Sequence, residues 1–123
     1  MNPNDLCNMA TDQLIAVYID LSIREAEAID RQEMGKVKTL YGQLQAICTV
    51  LRARGPEARR TLVPLLGHRN AQLRLNAAKE LLAVVPDQAR ATLENIAAHG
   101  PDQQSGDAGM TLQLLDDGVF KPT

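Results

Sequence analysis

The sequence predicts an all-α fold: about six helices, packed as a short stack of antiparallel pairs, with no sheet. Three observations carry this. The interior must be aliphatic, since hydrophobic residues make up 45% of the chain but include no Trp, one Phe and two Tyr; Leu- and Ala-rich interiors suit closely packed helices, whereas sheets favour β-branched and aromatic side chains. Apolar residues recur at three- and four-residue steps along most of the chain. No stretch shows sustained two-residue alternation bounded by turn signals.

The first helix is expected from about Asp12 to Arg31, with Thr11 as its N-cap. Leu14, Ile15, Tyr18, Leu21, Ser22 and Ile29 form its apolar stripe. Gly35 reads as the stop signal. A second helix follows from about Lys36 to Arg54, with Val37, Leu40, Tyr41, Leu44, Ile47, Cys48 and Leu51 on one face, and Gly55-Pro56 ends it. Pro56 to Leu66 reads as a third helix, kinked at Pro64. After a turn at Gly67-His68-Arg69, Asn70 is expected to cap a helix reaching about Val85. Pro86 opens a turn, Asp87 caps a helix to His99, and Gly100-Pro101 closes it. Residues 102–106 read as a polar loop, and Asp107 as the cap of a last helix ending at Asp117-Gly118. Short helices joined by tight turns favour antiparallel neighbours. A length of 123 residues fits one domain, with residues 1–10 and 119–123 less regular.

The segment from Leu62 to Leu81 resembles one HEAT repeat. It has paired leucines (Leu65-Leu66), a short polar turn, then a helix opening with Leu73-Arg74 and carrying Ala77-Ala78. The resemblance implies a HEAT/armadillo-like stack, in which neighbouring helices bury faces that one unit cannot bury alone. It also implies that Arg74 ties the turn together. The wider pattern includes Arg52-Ala53-Arg54-Gly55-Pro56-Glu57-Ala58-Arg59-Arg60, Gly106-Asp107-Ala108-Gly109-Met110-Thr111 and the terminal Phe120-Lys121-Pro122-Thr123. It resembles a bacterial family known as domain of unknown function 2019. That resemblance transfers a helical fold but no activity and no site residues.

Signatures of chemistry are sparse. His68 and His99 are the only histidines and fall in different turns. No ligand-spaced cluster surrounds either, so no metal, cofactor or catalytic residue is assigned. His68 reads as a turn residue bonding helix-end backbone, and His99 as a favourable charge near a helix C-terminus. Gly106-Asp107-Ala108-Gly109 lacks the lysine and hydroxyl of a phosphate loop. Asp116 and Asp117 are adjacent on a helix and diverge. Cys7 and Cys48 cannot form a disulfide framework and read as reduced, buried hydrophobes. With no apolar run of about 20 residues and no signal-peptide pattern, the expectation is a cytoplasmic protein that does not enter membranes.

Charge is the informative feature. Residues 1–35 carry seven acids against two bases, a net of −5. Residues 36–90 carry ten bases against three acids, a net of +7, and residues 91–123 carry five acids against one base, a net of −4. Such segregation implies internal neutralisation or a charged partner. The sequence therefore points to a non-catalytic macromolecule-binding module, in a protein–protein role of the immunity or antitoxin kind. Asp20, Glu27, Asp30 and Glu33 would face a basic partner. The alternative is a HEAT-like nucleic-acid binder using Arg52, Arg59, Arg60 and Arg69 on phosphates. A homodimer is also open, because a short stack leaves ends exposed.

Overall fold

The computed structural model describes residues 3–123, and among them it is all helical, with seven α-helices, one 3₁₀ segment and no strand. The chain divides into two compact units, Met1–Thr61 and Leu62–Thr123.

The first unit holds α1 (Pro3–Asn8), α2 (Thr11–Asp30), α3 (Met34–Arg54) and α4 (Pro56–Arg60). Two long helices joined by three residues must run antiparallel, and α2 and α3 pack along each other. Leu14, Tyr18 and Leu21 of α2, and Leu44, Ile47 and Leu51 of α3, are buried. Their spacing is that of one helical stripe on each partner. Ala10, not Thr11, occupies the N-cap of α2; Gln13 Oε1 accepts the Ala10 N–H at 2.9 Å, and Asp12 Oδ1 accepts the first-turn Gln13 N–H at 2.9 Å. The turn into α3 also lies earlier than expected. Gln32 adopts φ 58°, the Gln32 N–H bonds the Ile29 carbonyl at 3.0 Å, and the Glu33 N–H bonds the Ala28 carbonyl at 2.9 Å. This is a Schellman ending, with a non-glycine residue in the left-handed position. Gly35, expected as the stop, instead lies in the first turn of α3.

The second unit starts with a 3₁₀ segment, Val63–Gly67, and continues through α5 (Ala71–Leu81), α6 (Pro86–His99) and α7 (Asp102–Asp116). The single helix expected over 56–66 is broken. Pro64 has no N–H for the Arg60 carbonyl, and its ring would collide with that oxygen, so α4 stops at Arg60. The same residue type shortens α5. Val85 precedes Pro86, cannot hold helical angles comfortably, and sits at φ −130°, ψ 68°. Pro86 then occupies the first turn of α6 instead of lying in a turn before it. α6 packs against both α5 and α7.

The largest departure is α7, which begins at Asp102 with Pro101 as N-cap, so the expected polar loop is helix. Gly106 and Gly109 are helix-interior residues, and Asp107 is not a cap. Gln104 and Ala108, one helical turn apart, are both buried, which gives this polar stretch an inward face. At the far end, Gly118 at φ 74° closes a second Schellman motif, with Val119 N–H on the Leu114 carbonyl at 3.0 Å.

Candidate interaction surface

In the first unit, Asp20, Glu27, Asp30 and Glu33 are all exposed. Asp20 pairs along the helix with Arg24 at 3.1 Å. Glu27, Asp30 and Glu33 take part in no ion pair among the described residues, and neither do Lys36 and Lys38 at the start of α3. Glu27 and Asp30 in the last turns of α2 and Glu33 at the N-cap of α3 thus lie beside Arg31, Lys36 and Lys38, and none of the six is in an ion pair among the described residues.

The arginines divide differently from the sequence expectation. Arg59 is buried, with 8% exposure, so its guanidinium does not face solvent. Arg60 is exposed but pairs with Glu57 one turn earlier. Arg52 is exposed and engaged within the fold, and Arg69 is exposed in the turn before α5. Arg54 acts as a clasp. It donates to the Thr11 hydroxyl at 3.1 Å and to the carbonyls of Leu6, Cys7 and Met9, binding the end of α1 and the start of α2 to the end of α3. A fixed fork of donors suits several carbonyls converging at a helix terminus.

In the second unit, His68, Asn70 and Arg74 form one turn. The Asn70 side chain accepts the Leu73 N–H at 3.1 Å, as an N-cap should. His68 Nδ1 accepts the Asn70 N–H at 3.0 Å. Arg74 donates to the carbonyls of His68 at 2.9 Å and Arg69 at 3.1 Å, the turn-tying role its position implied. Two further bases of the middle segment are neutralised by the acidic C-terminal one. Lys79 pairs with Asp107 at 3.0 Å, and Arg90 grips Asp116 through two hydrogen bonds of 2.9 and 3.1 Å. That hydrogen bonding is the largest influence; it outweighs desolvation, is aided by the attraction of the charges, holds the Asp116 carboxyl below the usual carboxylate range, and raises Arg90.

Cys48 is buried, but Cys7 is exposed, contrary to the expectation for both thiols. Among the described residues, no group of three or more His, Cys, Asp or Glu is placed to hold a metal ion. No helix among them is long and apolar enough to cross a membrane. The role of Arg54 is not legible in the sequence because it acts on backbone groups that only the fold brings near, whereas Gln13 bonds the Ala10 N–H three residues back, a local signal that the lack of a Ser, Thr, Asp or Asn at position 10 hides.

These features define an all-helical protein whose distinctive chemistry is the distribution of charge on its helices. The chain belongs to the family described as Domain of unknown function (DUF2019), whose model matches residues 12–116. It is similar to a solved structure, the protein RPA1889 from Rhodopseudomonas palustris CGA009. The two are 39% identical, the match covers 96% of this chain and 98% of that one, and the TM-score is 0.92. No curated protein matches the chain.

Proposed function

We propose that this chain is a non-catalytic, HEAT-like binding module that presents the acidic face of α2 to a protein surface carrying basic groups. The observation behind this reading is that Glu27, Asp30 and Glu33 stand exposed and uncancelled while other charges of the chain are consumed internally. An isolated carboxylate in water is comfortable and needs no partner. Residues 27–33 carry these three acids against Arg31, a net of −2, and such a local field speeds encounter with a cationic surface. An immunity or antitoxin protein that sheathes a basic enzyme is the form of partnership this suits.

Nucleic acid is the weaker alternative. Phosphate binding needs several available cations on one face. Arg54 and Arg74 are committed to carbonyls, Arg60 to Glu57, and Arg59 is buried. The experiment is capture from host lysate at low salt with the wild-type chain and with Glu27→Lys/Asp30→Lys. Retention of a basic protein by the wild type, lost in the variant, is expected. Absence of any basic protein, together with a gel shift on duplex DNA, would overturn the reading in favour of the alternative.

A further inference from the structure

We infer that α7 is a releasable lid: it undocks from α5 and α6 as one unit, with the tail after it, while the rest of the second unit stays folded. The device is separate from the acidic face of α2. Helices held by apolar burial and helices held by polar links differ in how they let go. α5 buries Leu73, Leu75 and Leu81, and α6 buries Leu93 and Ile96. α7 buries only Gln104, Ala108 and Thr111, two of them polar. Its larger apolar side chains stay partly in water: Leu112, Leu114 and Leu115 are half-buried, and Met110 is 58% exposed. Lifting α7 away therefore returns less apolar surface to water than lifting α5 or α6 would.

What fastens α7 is a polar seam. Gln104 bonds Gln72 at 2.9 Å, Asp107 pairs with Lys79 at 3.0 Å, and the Ser105 hydroxyl donates to the Ala97 carbonyl at 2.6 Å. Asp116 adds its two bonds from Arg90. On undocking, water replaces each of these links, so their net hold is small. The helix is also weak in itself. Gly106 and Gly109 lie in its interior, where each lowers helical weight about fivefold relative to alanine. Packing requires neither glycine, since a Cβ on either meets nothing within 4 Å. The joint is ready made. The Gly100 N–H closes α6 on the Ile96 carbonyl at 2.8 Å, and Gly100 and Pro101 are both extended, with ψ 170° and 155°. α7 can swing on this two-residue link without unwinding α6, and its departure uncovers the Gln72 amide.

Native-state hydrogen exchange of the full chain, from no urea to about 2 M, tests this. Amides of residues 106–116 should share one opening, with protection about 100-fold below that of the slowest amides of α5 and α6. Their exchange should rise only weakly with urea, because little surface opens. Gly106→Ala with Gly109→Ala should slow it about 25-fold. Thiol labelling reads the lid directly. In a Cys7→Ser background, Ala108→Cys, at a position 0% exposed, should react about tenfold or more faster than Cys48, which is 2% exposed. The exchange measurement on the wild type needs no variant and stands even where Ala108→Cys fails to fold. Three results would overturn the lid: α7 amides that share the slow, urea-dependent exchange of α5 and α6; rates graded residue by residue from Asp116, which is fraying; or an Ala108→Cys thiol as slow as Cys48.

Discussion

Gln104 Nε2 on α7 donates to Gln72 Oε1 on α5 across 2.9 Å, and both side chains are buried at 7% exposure. Gln72 Nε2 in turn donates to Asn76 Oδ1 at 2.9 Å, making a short amide chain between the two helices. Amides removed from water are tolerated only when bonded, so the Gln104–Gln72 bond fixes the register of α7 against α5, and the bond to Asn76 within α5 holds the Gln72 amide in place.

Gln104→Ala should therefore destabilise the protein by about 1–3 kcal/mol, the usual cost of breaking a buried polar contact. Urea denaturation monitored by far-UV circular dichroism checks this. A change below about 0.3 kcal/mol would mean that the amide pair contributes nothing.

Arg54→Ala should release α1. Its guanidinium serves the last carbonyls of a six-residue helix too short to be stable alone. Hydrogen exchange should accelerate over residues 5–11 and stay unchanged over 71–99. Arg54→Lys should rescue this only partly, because one ammonium cannot replace the fork.

Three backbone substitutions should act with opposite signs. Gln32→Gly relieves a left-handed residue and should stabilise by about 0.5–1 kcal/mol. Gly106→Ala, in a helix interior with nothing within 4 Å, should stabilise by up to about 1 kcal/mol. Gly100→Ala would place its Cβ 2.7 Å from the Ile96 carbonyl oxygen and should cost about 1–3 kcal/mol. Thermal midpoints of the three variants give the order directly.

The Arg90–Asp116 pair sets an acid limit. Because the folded-state pKa of Asp116 is depressed, its stabilisation is complete above the ordinary carboxylate pKa of about 4 and is lost as pH falls through the depressed value. Asp116→Asn should be less stable than the wild type at neutral pH, and the difference should shrink as pH falls below the ordinary carboxylate range and through the depressed value. Both side chains are partly exposed, so salt should narrow the gap at neutral pH. A difference that grows with acid would contradict the assignment.

The long helices were legible because their apolar stripes are long and bounded by strong breakers at Gly55-Pro56 and Gly100-Pro101. The left-handed turn at Gln32 was not, because glycine three residues later is the better local candidate and tertiary packing overrides it. α7 was hidden for the converse reason. Gly106 and Gly109 read as loop, and only the inward amide of Gln104 and the buried Ala108 explain why helix persists there. The acidic half of the candidate surface was readable from charge alone. The arginines were not, since sequence cannot distinguish a guanidinium facing water from one holding carbonyls.

That last distinction has a consequence for how the protein comes apart. The junctions held by Arg54 and Arg74 grip carbonyl oxygens that take up no proton in water, whereas the fastening of α7 at Asp116 is a carboxylate. Acid therefore loosens the end of the C-terminal helix first, while the arginine-bound turns and the buried Gln104–Gln72 amide bond keep their grip.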